Sequence, residues 1–249
     1  MKTAAMLVIG DEVLSGRTQD ANTAVLARRL TEIGVALREV RAGPDEQAEI
    51  VRHLDALRAR YDYVFTSGGI GPTHDDITAD AVAAAFGAPI AVRADARAIL
   101  EAHYRSGGLN EARLRMARIP EGAALIANPV SAAPGFRLGG VFVMAGVPAI
   151  FAAMLESVVP ELEGGPPLLS WSLRARVAEG DVAEGLGRLA RERPGVSFGS
   201  YPGFRGKEAG LALVARSRDR AALEAAAEAL RRLLREAGSE EIVETPPSA

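Results

Sequence analysis

The first ninety residues alternate apolar runs with segments of helical periodicity, and this alternation constrains the fold more than any other feature. Strands that alternate with helices over short connections pair in parallel, with helices on both faces of the sheet. The sequence therefore predicts an α/β fold. The elements are predicted in this order: strand 4–10, helix 22–33, strand 35–41, a helix from residue 45 or 46, strand 61–67 and helix 78–86.

The predicted sheet also places the functional region. Ligands in such sheets bind beyond the carboxyl ends of the strands. The loops after Gly10, Arg41 and Ser67 are therefore expected to face one crevice.

The rest of the chain predicts a mixed segment, a linker at 163–167 and a smaller βαββα unit. We therefore expect two domains, 1–165 and 166–243, with residues 244–249 as a frayed tail. The predicted elements after Pro89 are helices 95–105 and 110–118, strand 123–127, hairpin 136–144, helix 147–158, strand 168–177, helix 181–193, strands 196–201 and 211–217, and helix 219–237.

Composition excludes several classes of protein. The chain has no cysteine, which excludes disulfides, thiolate metal sites and a cysteine nucleophile. A net charge of −3 and an aromatic content of 5% argue against a nucleic-acid partner. There is no apolar run of about 18 residues, as a membrane helix requires, and no signal-peptide pattern. We therefore expect a cytoplasmic protein without a membrane partner.

A glycine-rich loop between a predicted strand and a predicted helix is the strongest candidate site. Its glycines allow backbone N–H groups to turn towards an anion, and the helix dipole favours a phosphate there. An ordinary strand-to-helix turn explains the same glycines equally well. The loop lacks the lysine of a Walker A motif, and His74 replaces the third glycine of a dinucleotide fingerprint. The loop reads Ser67-Gly68-Gly69-Ile70-Gly71-Pro72-Thr73-His74-Asp75-Asp76.

Acidic residues follow three of the predicted strands. Asp75 and Asp76 end the glycine-rich loop, and Asp45 follows the second strand. Carboxylates beside a phosphate site suggest a divalent metal. Capping of the next helix is the competing interpretation for Asp45, and the preferred one for Asp75. Asp11 and Glu12 follow the first strand at the same edge, where a solvated loop is the alternative.

Other polar residues give weaker evidence. His74 is a candidate general base, although loop histidines are more often simply exposed. Thr78 is a candidate helix cap. The segment 128–136 is rich in turn residues, and Ser15, Ser67 and Ser131 lack the His–Asp series of a serine hydrolase.

Several ordered motifs resemble the competence/damage-inducible protein A (CinA) family over nearly the whole chain. They are residues 10–22, 67–78, 128–136, 144–148 and, in a KH-like second domain, 199–202. The first domain also resembles the molybdopterin-binding MogA and MoaB proteins. That likeness implies a three-layer α/β/α domain, a homo-oligomer, and functional roles for Asp76 and Asp45. Asp75 stands where MogA-type motifs carry arginine, which argues against molybdate insertion. The C-terminal amidase domain of longer family members is expected to be absent.

The resemblance implies metal-dependent hydrolysis of a nucleotide pyrophosphate such as ADP-ribose or FAD. Asp76 and Asp45 would place Mg²⁺ or Co²⁺, with help from His74. A molybdopterin-binding protein without catalysis is the alternative, and RNA binding through Gly203–Gly206 is disfavoured. The residues expected to contact the nucleotide or pterin ligand are Gly10, Asp11, Glu12, Ser15, Ser67, Gly68, Gly69, Gly71, Pro72, Thr73, Asp75, Thr78, Asn128 and Gly135.

Overall fold

The computed structural model describes residues 1–104, 108–205 and 208–247. The chain divides into two compact units, Met1–Gly165 and Pro166–Ala249. Within the described residues, no helix has the length and apolar character needed to cross a membrane.

The first unit is an α/β domain. Its strands are β1 (Thr3–Ile9), β2 (Ala36–Gly43), β3 (Tyr63–Ser67), β4 (Ile90–Val92), β5 (Arg118–Pro120), β6 (Ala124–Ile126), β7 (Gly135–Leu138) and β8 (Val141–Met144). Its helices are α1 (Asp11–Leu14), α2 (Asn22–Glu32), α3 (Gln47–Arg58), α4 (Thr78–Phe86), α5 (Ala94–His103), α6 (Glu111–Leu114) and α7 (Pro148–Val158), with 3₁₀ turns at Arg115–Ala117 and Val159–Glu161.

The main sheet has the strand order β2-β1-β3-β8-β7-β6. The pairs β1–β2, β1–β3 and β3–β8 are parallel, so the carboxyl ends of these four strands share one edge. The predicted hairpin, β7–β8, pairs antiparallel and extends the same sheet with β6. The sheet is therefore mixed, with a parallel half that carries the expected crevice.

The central strand β1 shows how the two faces are covered. Ala5, Leu7 and Ile9 pack into a core with helices α3, α4 and α5. The alternate residues Met6 and Val8 pack into a second core with α2 and α7. Because both faces are covered, β1 is apolar from Ala4 to Ile9 instead of alternating with polar residues. The three-layer α/β/α arrangement is therefore confirmed.

The segment after Pro89 departs from the prediction. Strands β4 and β5 form a separate antiparallel pair that was not predicted. The predicted helix 110–118 is shortened to α6 and a 3₁₀ turn, because Arg118 begins β5. The predicted helix 95–105 corresponds to α5, and its last residue lies outside the described residues.

The second unit packs two helices against a sheet of strand order β10-β11-β9-β12. Its elements are β9 (Leu169–Ala175), α8 (Glu179–Glu192), β10 (Ser197–Arg205), β11 (Glu208–Ser217), α9 (Arg220–Glu236) and β12 (Ile242–Thr245). The candidate RNA-gripping segment 203–206 falls at the end of β10, and its last residue lies outside the described residues.

The prediction of a frayed tail from residue 244 is wrong for Glu244 and Thr245. Both belong to β12, which pairs antiparallel with β9. The Glu244 carboxylate accepts hydrogen bonds from Trp171 Nε1 at 3.0 Å and Arg231 Nη2 at 2.8 Å. The charge of Glu244 is thus paired within the unit, which allows this polar residue to lie in a strand. Residues 248 and 249 lie outside the described residues.

Truncation tests the contribution of β12. A chain that ends at Glu241 loses the strand and the Glu244 contacts, so its thermal unfolding temperature should fall by several degrees. A chain that ends at Thr245 keeps both and should unfold like the full chain. Calorimetry of the three proteins measures the difference, and equal unfolding temperatures would show that β12 adds no stability.

Candidate functional site

Hydrogen bonds join the loops at the carboxyl edge of the parallel strands. The Asp11 amide donates to Asp45 Oδ2 at 2.9 Å, which links the loops after β1 and β2. The Gly68 amide donates to the Met144 carbonyl at 3.2 Å, which links the loops after β3 and β8. The predicted meeting of these loops in one region is therefore present in the structure.

Asn22, at the start of α2, connects three of these loops. Its Nδ2 group donates to Ser67 Oγ and to the Gly146 carbonyl, both at 2.7 Å. Asn22 is 3% exposed, and its Oδ1 atom has no hydrogen-bond partner among the described residues. It lines a small cavity with Glu12, Ser67 and Gly146. The sequence motif ends at Asn22, but spacing gave no reason to select its side chain.

The first two glycines of the loop are required by close packing. Gly68 has φ +106°, and a Cβ placed there would lie 2.2 Å from the Ile9 carbonyl oxygen. A Cβ on Gly69 would lie 2.1 Å from Thr78 Oγ1. The buried Thr78 hydroxyl donates to the Gly68 carbonyl at 3.0 Å. These glycines therefore dock the loop on β1 and α4.

Asp76 organises the second half of the loop. Its Oδ1 accepts from the Gly71 amide at 2.6 Å, and its Oδ2 accepts from the Thr73 amide and hydroxyl at 2.7 and 2.5 Å. The amide of Gly68 is also engaged, as described above. Gly68, Gly71 and Thr73 were expected to contact the ligand, but their amides are bonded within the protein and are not free to bind a phosphate. The N–H groups of Gly69 and Ile70 donate no hydrogen bond within the described residues.

Asp45 lies in an acidic environment. Partial burial raises the pKa of its carboxyl group, and the nearby charges of Glu12, Asp11 and Asp75 raise it further, against the hydrogen bond from the Asp11 amide. Asp45 forms no ion pair with any described residue. Glu12 lies close by, and its carboxylate folds back over Gly10. This cluster holds excess negative charge that a bound cation would relieve.

The helix-capping alternatives are wrong for three candidates. Helix α4 is preceded by Ile77 and has no side-chain cap, so neither Asp75 nor Thr78 caps it. Helix α3 follows Glu46, also without a side-chain cap, and Asp45 instead accepts from Asp11. The His74 side chain is 98% exposed, with its Nδ1 3.8 Å from Asp75 Oδ1.

The remaining candidates have contacts within the protein or lie at the surface. The side-chain amide of Asn128 forms hydrogen bonds within its own loop, where Nδ2 donates to Ser131 Oγ and the Ala133 carbonyl, both at 2.8 Å. A Cβ on Gly135 would lie 2.2 Å from the Val143 carbonyl oxygen. Ser15 bonds back to the Glu12 carbonyl, and Pro72 is exposed. Hydrogen bonds within the loop explain Asn128, and close packing explains Gly135, so neither residue requires a ligand.

The packing of Gly68 predicts a large effect of Gly68→Ala. The added Cβ meets backbone and forces a strained φ, so we expect a loss of about 2–4 kcal/mol of unfolding free energy. Gly87→Ala is the matched control. Gly87 also has a positive φ, of +62°, but it has open space around it. Its cost should be about 1 kcal/mol. Denaturant unfolding compares the variants, and equal losses would contradict the packing argument.

The raised pKa of Asp45 predicts that its charge destabilises the fold at neutral pH. A raised pKa means that the folded state binds the proton more tightly, so stability is lost as pH rises through that pKa. Asp45→Asn keeps an acceptor for the Asp11 amide and should raise the unfolding temperature at pH 7 by roughly 1–3 °C. The gain should vanish below about pH 4.

Thermal unfolding in EDTA from pH 3.5 to 8 measures this effect without metal. Asp95→Asn is the control of opposite sign, because hydrogen bonding from Arg93 lowers the pKa of Asp95. That variant should lose stability at pH 7. A destabilised Asp45→Asn protein at pH 7 would disprove the assignment.

Comparison with known proteins agrees with this organisation. Residues 5–164 match the family model of a probable molybdopterin-binding domain, and residues 167–242 match the middle domain of FAD synthase. A protein from Pyrobaculum calidifontis is 37% identical over 213 residues, which cover 81% of each chain. A CinA-like protein from Geobacter sp. is 38% identical over 240 residues, or 92% of this chain and 58% of that protein.

A solved structure shows the same relationship. The CinA protein of unknown function from Thermoplasma acidophilum superposes with a TM-score of 0.61 and 34% identity, over 64% of this chain and 97% of that one. The expected CinA resemblance and the α/β fold with a molybdopterin-binding type of domain are thus confirmed. The chain belongs to the CinA-like family, with a probable molybdopterin-binding domain followed by a unit of the FAD synthase middle-domain family.

Proposed function

We propose that the first unit is a divalent-metal-dependent pyrophosphatase acting on a nucleotide such as ADP-ribose or FAD. The observation that carries this proposal is the acidic cluster around Asp45, which lies at the same sheet edge as the glycine-rich loop. A cation attracted by these carboxylates and a phosphate attracted by the loop would meet at that edge. The match to the FAD synthase middle domain supports a nucleotide as substrate.

The oxygen ligands of this cluster suit Mg²⁺ or Co²⁺. Asp45 uses only Oδ2 in a hydrogen bond among the described residues, which leaves Oδ1 to bind a cation. The described residues contain no group of three or more acidic or histidine side chains arranged to hold a metal. Mg²⁺ is commonly bound by one or two carboxylates together with substrate phosphates. Asp45 would therefore hold the metal jointly with the nucleotide.

The chain's own residues would divide the work as follows. The N–H groups of Gly69 and Ile70 would bind a phosphate oxygen, and Asp76 would keep the loop in the conformation that presents them. A divalent cation supplies charge neutralisation and lowers the pKa of water. His74 is exposed and would accept a proton from the attacking water. Water adds to phosphorus and a P–O–P bond breaks, which yields AMP and a second phosphate ester.

A second candidate is a molybdopterin- or nucleotide-binding protein without hydrolysis. It is supported by the match to a probable molybdopterin-binding domain over residues 5–164. The contacts of Asp76 also favour it, because both oxygens of this carboxylate are engaged in holding the loop. In this case the same edge would bind the pterin phosphate and leave it intact.

Substitution of Asp45 tests the catalytic proposal most cleanly. Purified protein is incubated with ADP-ribose or FAD and Mg²⁺ or Co²⁺, and AMP is measured by chromatography. Asp45→Asn should lower the AMP release rate by at least 100-fold, because one metal ligand and its charge are lost. Asp76→Asn is less informative, since it also removes a loop acceptor.

Asp62→Asn is the control for a lost carboxylate. Asp62 precedes β3, at the opposite end of that strand from the glycine-rich loop, and accepts from Thr3. This variant should retain wild-type turnover. Equal turnover in Asp45→Asn and wild type would reject the metal role of Asp45. Tight pterin or nucleotide binding without AMP release would favour the second candidate.

A further inference from the structure

A small cavity beside the glycine-rich loop contains an arginine that the sequence did not identify. Arg115 lies in the 3₁₀ turn after α6. The cavity is lined by residues of the loop and of the segments around α4, β5 and β7, among them Gly69, Ile70, Gly71, Asp76, Arg115 and Arg118. It therefore adjoins Gly69 and Ile70, whose amides donate no hydrogen bond within the described residues.

The Arg115 guanidinium forms no ion pair with any residue in the described ranges. The side chain is half-buried, and its Nε atom is fully buried without a hydrogen-bond partner. Arginine remains charged at all physiological pH values. A buried donor without a partner costs about 1–3 kcal/mol, and more for a charged group. The buried Nε–H is therefore unfavourable unless the guanidinium gains a further hydrogen-bond acceptor.

The neighbouring charges are already satisfied. Arg118 forms an ion pair with Asp80. The Asp76 carboxylate accepts three hydrogen bonds within the loop. Arg115 is thus the cation of this cavity that has no partner among the described residues. Its positive charge is available to an anion.

We propose that Arg115 and the N–H groups of Gly69 and Ile70 bind a phosphate group. Guanidinium groups bind phosphate with two parallel hydrogen bonds, and backbone amides add neutral donors. The proposal rests on the proposed function in that it names the side chain that recognises the substrate phosphate. It does not require hydrolysis, because phosphate binding alone satisfies the guanidinium.

The size of the cavity determines where a phosphate could contact Arg115. Its free space is about that of one water molecule, so a phosphate does not enter the cavity as it stands. The Arg115 side chain has several rotatable bonds and rotates outward to meet the anion at the loop. A competing explanation is that Arg115 only covers apolar surface with its aliphatic stem, next to Met116.

Isothermal titration calorimetry with inorganic phosphate and with pyrophosphate separates these explanations. The wild-type chain should bind, and Arg115→Gln should weaken binding at least 10-fold. Arg115→Lys keeps the charge on a similar stem and should weaken it less. Arg97→Gln is the matched control, because Arg97 is a surface arginine paired with Glu101. It should bind like wild type.

Each result decides the proposal. Wild-type affinity in Arg115→Gln, no phosphate binding by the wild type, or equal weakening in Arg97→Gln would overturn it. If Arg115→Gln unfolds, the ratio between Arg115→Lys and wild type gives the answer: an unchanged affinity overturns the proposal and a reduced one supports it. Arg115-dependent phosphate binding without AMP release would refute the hydrolase proposal and leave this one intact.

Discussion

Parallel pairing of β1, β2, β3 and β8 is the constraint on which the candidate site depends. It brings the loops after these strands to one edge, where backbone groups of one loop bond to those of the next. Asn22 completes this arrangement, since its amide donates to two loops at once. A single buried side chain thus links Ser67 to Gly146, next to the backbone pairing of β3 with β8. Backbone pairing between the strands sets the positions of the site residues. Polar side chains add hydrogen bonds between neighbouring loops.

The polar atoms without partners are concentrated near this edge. Among the described residues, the buried side-chain atoms without a hydrogen bond are Asn22 Oδ1, Thr66 Oγ1 and Arg115 Nε. Thr66 directly precedes Ser67, and the other two line cavities beside the loops. Asp45 adds a carboxyl group whose pKa is raised. Unsatisfied groups lower stability, and their concentration at one edge is typical of a region that binds a polar ligand.

The fold was predictable where local chemistry and packing agree. Helix α4 begins and ends where the sequence predicted, because Gly87 adopts the left-handed conformation that stops a helix. Strand β12 was missed because its polar Glu244 resembles a tail residue, and only the distant Trp171 and Arg231 give that side chain partners. Hydrophobic periodicity in the sequence indicates which residues of a segment are buried. It does not show which segments far apart in the sequence pair with each other.

The roles of the site residues were less predictable than their positions. The strand ends located Asp45, but its acidic neighbours and its contact with Asp11 depend on how the loops fold. A structural explanation holds for two of the glycines, because Gly68 and Gly69 are needed to avoid clashes with Ile9 and Thr78. Glycine content is therefore weak evidence for a ligand here. Stronger evidence comes from charges that form no ion pair among the described residues, which are negative at Asp45 and positive at Arg115.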